Sequence, residues 1–341
     1  MLKKGHFWKN FTQQELDLLK EEIFQVYRKK GFPSYELSLD DKIKEFNKLR
    51  NYCNGTQIVD SRVIKQSMHG LGLCWSYFPY YTGIKCGKMQ TALIAFNDDI
   101  LFRKVIEKRL RYGTYISDGG ILKTLKTFSG VQCVSNFRPS AAFAVYDRYC
   151  PENAAVWDMS GGFGGRMLGA SVCSKVSKYV FTEPSTKAYS GLVDLAYDIK
   201  NYYGADLEIE GWKLGSEDFI PQDKVDVCFS SPPYFDVEKY SDEATQSYIK
   251  FSGKEEWLYG FLGQTFKNVK QALKPDGKMI INIKNVKSFP DLEQKTVDMA
   301  LSLGYSLVET LQLSLSSMIG NKARIGKFKY EPVYVFKLEN L

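Results

Sequence analysis

From about residue 131 the chain alternates short apolar runs with amphipathic stretches, and this alternation constrains the fold more than any other feature. "AAVWD" (154–158), "KYVFTE" (178–183), "VDVCFS" (225–230) and "GKMIINI" (277–283) have the length and composition of buried strands. Helical periodicity fills the gaps: from a glycine loop to about 175, from about 185 to 202, over 255–273 and over 291–303. Repeated strand–helix units require parallel strands joined by right-handed crossovers. The expected fold class is therefore α/β, a doubly wound, mostly parallel Rossmann-like sheet. "YSLVETLQL" and "EPVYVFKL" read as two closing strands, which gives the sheet an antiparallel C-terminal end.

The first 130 residues read differently. "FTQQELDLLKEEIFQVYRKKG" (11–31) is an amphipathic helix with Thr12 as N-cap, Glu15 three residues on and Gly31 as the stop. Asp40–Tyr52 and 97–112 repeat helical spacing, and 67–90 is irregular. The expected division is a mainly helical region, 1–130, ahead of a catalytic domain, 131–341. Charge follows that division. Residues 1–130 hold 22 Lys+Arg against 13 Asp+Glu, and the remainder 24 against 26, so the first part carries all of the net +7. An excess of this kind suits a polyanionic partner.

Several classes are disfavoured. No apolar run approaches a membrane span, and "MLKKGHFWKN" lacks the apolar core of a secretory signal, so an intracellular, cytoplasmic protein is expected. Seven scattered cysteines without a C-x-x-C suggest reduced thiols rather than a zinc cluster or disulfide scaffold. With only His6 and His69, no metal is expected, and histidine triads have little to work with.

"VWDMSGGFGGRMLGAS" (156–171) places Asp158 at a strand end, then Gly161, Gly162, Gly164 and Gly165 ahead of a helix. Such a loop brings backbone close to a ligand at the C-terminal edge of a parallel sheet. Glu183 ends the next strand, where a carboxylate can accept both ribose hydroxyls of an adenosine. No G-K-[ST] follows, so this is not a nucleotide P-loop, and on the loop alone a dinucleotide fold stays open. "VDVCFSSPPYFDVEKYS" (225–241) then stops a buried strand abruptly. Pro232 and Pro233 give no N–H to a sheet and restrict the residues before them.

Together these motifs resemble the class I S-adenosylmethionine (SAM)-dependent amino-methyltransferases of DNA. Their cofactor loop has the form D-P-F-x-G-x-G. Asp158-Met159-Ser160-Gly161-Gly162-Phe163-Gly164 keeps the acid and both glycines but replaces Pro and Phe by Met and Ser. Their catalytic motif is [D/N/S]-P-P-[Y/F/W], which Ser231-Pro232-Pro233-Tyr234 matches fully. The resemblance covers about 131–341. It implies SAM as cofactor, held by Asp158, Ser160, Gly162, Gly164 and Glu183. "GSEDF" (215–219) would supply an acid reading the adenine, Asp218 with Glu217 as the alternative. Phe137 and Arg138 of "NFRPS" would pack over the methionine end.

The same resemblance implies methylation of an exocyclic amine on a base flipped from duplex DNA, in a restriction–modification or phage setting. The Ser231 hydroxyl and Pro232 carbonyl would accept the amine N–H groups, Pro233 would fix the turn, and Tyr234 would stack on the base. Serine at the first motif position leans toward cytosine N4 over adenine N6. C5 chemistry would need a thiolate, usually in a Pro-Cys pair, and the chain offers only Cys150-Pro151 and Cys228. An RNA base, a protein amide or an inactive nucleic-acid-binding relative remain alternatives on sequence alone. Candidate phosphate contacts are Arg103, Lys108 and Arg111 on one helix and Lys322, Arg324 and Lys327 in the loop 316–330.

Overall fold

The computed structural model describes residues 7–113, 115–315 and 329–339. It divides into two compact units, one formed by Met1–Glu36, Pro79–Ser135 and Glu238–Tyr240, the other by Leu37–Phe78, Asn136–Val237 and Ser241–Leu341. The strands are β1 (Val59–Asp60), β2 (Val63–Ile64), β3 (Lys85–Cys86), β4 (Ala154–Asp158), β5 (Val176–Thr182), β6 (Glu208–Trp212), β7 (Val225–Ser230), β8 (Glu238–Lys239), β9 (Leu273–Asn282), β10 (Tyr305–Ser314) and β11 (Tyr330–Leu338).

In the larger unit the described strands form one sheet in the order β1-β2-β10-β11-β9-β7-β4-β5-β6. β4 pairs in parallel with β5 and β7, β5 with β6, and β7 with β9. β11 lies antiparallel between β9 and β10. The doubly wound, mostly parallel sheet with an antiparallel C-terminal end is therefore present as expected. Side chains alternate across it. Trp157, Cys228 and Met279 join one cluster with Trp257, Phe261 and Phe266. On the opposite face, Phe229 packs edge-on against Tyr146 of the helix Pro139–Tyr149.

The division at residue 130 needs correction, because Leu37–Phe78 belongs to the sheet-bearing unit. Phe46 and Leu49 of the helix Leu39–Gly55 are fully buried, and Phe46 stacks on Tyr203 at 4.6 Å. β2 pairs in parallel with β10, which extends the sheet beyond the closing strands. The sequence reading also missed β6, an edge strand whose "EIEGW" has little apolar content. The helix after the glycine loop is shorter than expected, Gly165–Ser171. The apolar run 255–273 is interrupted by a π-helical stretch, Trp257–Gly263, before the helix Gln264–Ala272. The Pro-Asp-Gly segment falls inside β9 as a register shift against β7.

The smaller unit is mainly helical. Gln13–Lys30 begins with the expected capping box: the Thr12 hydroxyl accepts from the Glu15 N–H, and the Glu15 carboxylate accepts from the Thr12 N–H. The expected helix over 97–112 is present as Asp99–Arg111, capped by Asp98, and a further short helix, Ala92–Asn97, precedes it. Phe24, Tyr27, Phe102 and Ile121 are in its core, and β3 pairs antiparallel with β8.

Candidate active site

Two loops leave the C-terminal ends of the neighbouring strands β4 and β7, and each is held by a different device. In the first, Asp158 is fully buried and its oxygens are used inside the protein. Arg166 Nε donates to Asp158 Oδ2 at 2.9 Å, Tyr179 Oη at 2.5 Å, and the Ser160 N–H donates to Oδ1 at 3.2 Å. Arg166 also donates to the Ser160 carbonyl. Asp158 and Arg166 thus form a buried ion pair that ties the start of the loop to its helix. Burial pushes the Tyr179 phenol far above its ordinary range, and the neighbouring Asp158 charge adds to that. Neither Arg166 nor Tyr179 was singled out from sequence. An arginine one residue past "GGFGG", in a helix with no exposed face, was the available signal.

Gly162 and Gly164 adopt left-handed φ values of 57° and 71°, which a side chain would resist. Gly165 has a different reason to be glycine: a Cβ there would sit 1.9 Å from the Phe137 carbonyl oxygen. The segment 136–139 therefore lies against the loop, and Asn136 Nδ2 donates to the Phe163 carbonyl at 2.9 Å. Phe137 is half-buried, edge-on to Phe229. Arg138, also half-buried, donates to Gln66 Oε1 at 3.2 Å.

Glu183 stands at the end of β5 with both oxygens against backbone. Oε2 accepts from the Gly162 N–H and Oε1 from the Ser185 N–H, each at 2.9 Å. Those bonds favour the carboxylate, but burial outweighs them and pushes the group up to about 7. Asp218 and Glu217 divide in the way the alternative allowed. Asp218 is exposed and paired with Lys250. Glu217 is buried; its Oε1 meets Lys250 at 3.0 Å, and among the described residues its buried Oε2 accepts no hydrogen bond from another residue. Burial raises its carboxyl above the ordinary value.

The second loop carries Ser231-Pro232-Pro233-Tyr234. Pro232 is buried and the other three are half-buried. Phe235, next in the chain, takes a left-handed φ of 58°, unfavourable for a bulky side chain. Its ring is held by Trp257 and Phe289. The Ser231 hydroxyl and the Tyr234 hydroxyl each donate to Asn282 Oδ1 at 3.2 Å. Lys284 lies 5.9 Å from the Tyr234 ring centroid and pairs with Glu331. Asn282 closes β9 and went unnoticed in the sequence, where one asparagine after "GKMII" carries no signal by itself.

The two loops meet at a small cavity lined by Met159 and Ser160 from the first and Pro232 from the second, with Ser230 at the end of β7, Ser216, Ile281, Phe261, Leu262, Thr265 and Phe266. Neither thiol that the sequence offers for C5 chemistry is poised for attack. Cys228 is fully buried, and burial pushes it and Cys150 well above the ordinary thiol range.

The basic candidates in the smaller unit are engaged within it. Arg103 pairs with Glu21 at 2.8 Å and lies 3.6 Å from the Phe24 ring centroid. Lys108 donates to the Thr127 carbonyl at 3.2 Å, and Arg111 pairs with Glu107. Lys322, Arg324 and Lys327 lie outside the described residues. Among the described residues no helix is long and apolar enough to cross a membrane.

No family model and no curated protein matches this chain. Among solved structures, magnesium protoporphyrin IX methyltransferase from Synechocystis PCC 6803 with bound SAM is 14% identical, with TM-score 0.39, covering 59% of this chain and 78% of that one. TYW2 from M. jannaschii in complex with AdoMet is 16% identical, with TM-score 0.36, covering 58% and 74%. TrmN from Thermus thermophilus is 16% identical, with TM-score 0.41, covering 59% and 49%. At these TM-scores the likeness adds nothing to what the strand order itself shows.

Proposed function

We propose that the protein is a SAM-dependent methyltransferase acting on the exocyclic amine of a nucleobase in DNA, with cytosine N4 ahead of adenine N6. The observation that carries this reading is that Met159 and Ser160, which open the glycine loop, and Pro232 of the Ser-Pro-Pro-Tyr turn line one cavity at the ends of adjacent parallel strands. Open α/β sheets bind their ligands at that edge.

The residues present fit the cofactor. Glu183 is a buried carboxylate beside the glycine loop, suited to ribose hydroxyls. The buried Oε2 of Glu217, which accepts from no other described residue, suits an adenine amine, and makes Glu217 rather than Asp218 the acid of choice. Asp158, fully paired with Arg166 and Tyr179, acts by holding the loop. When bound, SAM supplies a sulfonium methyl group as electrophile.

An exocyclic amine is a weak nucleophile because its lone pair is delocalised into the ring. The Ser231 hydroxyl oxygen and the Pro232 carbonyl accept its two N–H groups and localise that pair. The prolines fix both acceptors before the base arrives, so no reorganisation accompanies the reaction. Tyr234 offers its ring to the flipped base, a contact worth about 1–3 kcal/mol. The raised thiols of Cys228 and Cys150 agree with attack by the amine itself and not by a C5 adduct.

The test pairs two measurements. SAM binding by calorimetry is expected for the wild type and for Ser231→Ala, whereas transfer of a tritiated methyl group is expected only for the wild type. A protein that does not bind SAM, or a Ser231→Ala variant of full activity, contradicts the reading.

A further inference from the structure

We infer that Asn282 is a positioning residue that fixes the direction of the Ser231 hydroxyl and so restricts the site to substrates presenting N–H donors; this rests on the function proposed above. Asn282 is 1% exposed and closes β9, beside β7. Its Nδ2 donates to the Pro332 carbonyl on β11 at 2.9 Å. A carbonyl only accepts, and a proline has no N–H to offer, so the amide can face Pro332 only through its nitrogen. Oδ1 is therefore turned toward the Ser-Pro-Pro-Tyr loop, where the Ser231 and Tyr234 hydroxyls reach it at 3.2 Å each.

An amide oxygen brings no proton. Ser231 has one, and Oδ1 draws it inward. Ser231 Oγ and Tyr234 Oη also lie 3.3 Å apart, and a Ser231 proton engaged by either Asn282 Oδ1 or Tyr234 Oη is not offered to a substrate. What Ser231 presents outward is lone pairs alone. A substrate NH₂ satisfies them, while a ring carbonyl oxygen at the same place meets them lone pair to lone pair. A site built to hydrogen-bond one group rejects an analogue that leaves its polar atoms unpaired. Pro332 thus acts at the amine through a chain of two hydrogen bonds that runs across three strands.

The experiment compares the full-length wild type with Asn282→Ala and Asn282→Asp in SAM binding by calorimetry and in methyl transfer from about pH 5 to about pH 8. Asn282→Ala is expected to keep SAM affinity within about threefold and to lower kcat by roughly tenfold or more, the equivalent of one directed hydrogen bond. Asn282→Asp separates direction from packing, since it has nearly the same shape. Its ionised carboxylate cannot donate to Pro332, whereas its protonated form donates there and still accepts from Ser231. Burial raises such a carboxyl, so its activity relative to wild type should recover as pH falls, while Asn282→Ala stays flat. A kcat within twofold of wild type for Asn282→Ala, or an Asn282→Asp ratio independent of pH, overturns the inference and leaves the proposed function standing. A wild type that binds SAM and transfers nothing to any nucleic acid removes both.

Discussion

The loops after β4 and β7 lie side by side and solve opposite problems. The first is built of glycines, two of them left-handed, and is anchored by a buried charge pair, Asp158 and Arg166; on the proposed function it lets backbone approach the cofactor. The second is built of prolines and anchored by neutral hydrogen bonds to Asn282; on the same reading it holds the acceptors for the substrate still. Charge anchors a chain strongly but is costly to break, because the surviving partner stays buried. Hydroxyl–amide bonds contribute less to stability but set proton direction, which matters to a polar substrate. On the proposed function, breaking the anchor of the glycine loop costs more stability, and breaking that of the proline loop costs more activity.

The largest stability effect should follow from Arg166→Met, which leaves Asp158 buried without its cation. A loss of about 3–5 kcal/mol is expected in urea unfolding; a loss below about 1 kcal/mol would mean that the pair does not anchor the loop. Gly165→Ala comes next, because its Cβ meets the backbone of Phe137 and must displace segment 136–139. It should cost about 1–3 kcal/mol and weaken SAM binding measurably by calorimetry.

Glu183 gives an intermediate, pH-dependent effect. Its folded carboxyl, up at about 7, lies above its ordinary 4.5, so the folded state holds the extra proton between those values. Stability should therefore fall as pH rises from about 4.5 to about 7. SAM binding should strengthen over the same window as the carboxylate forms to receive the ribose hydroxyls. Glu183→Gln is expected to remove both slopes, and their persistence would assign the titration to another group.

Ser231→Ala should have the smallest effect on folding, about 1 kcal/mol or less, with transfer abolished. If it destabilises the protein as much as Arg166→Met does, the contrast between the loops is wrong.

Much of this architecture was legible in the sequence because local pattern and tertiary role coincide there. β4 and β7 have the expected bounds, since each is a short apolar run ended by residues a strand cannot use. β6 was not legible, because an edge strand needs few apolar residues. Nor was the placement of 37–78, whose helix looks like any amphipathic helix until Phe46 finds Tyr203 across 157 positions of chain. At the site, backbone-defined features were readable: the glycine loop, the proline turn and the strand-end acid. Asn282, Arg166 and Tyr179 were not, because each acts through a partner distant in sequence.

On the proposed function this pair of loops moves a methyl group onto a nucleobase amine. Transfer from tritiated SAM to DNA and, in parallel, to RNA, followed by digestion and separation of the nucleosides, tests this. Label is expected in DNA as N4-methylcytosine or N6-methyladenine. Label confined to RNA, to protein or to C5-methylcytosine, or no label in any of them, would contradict that function.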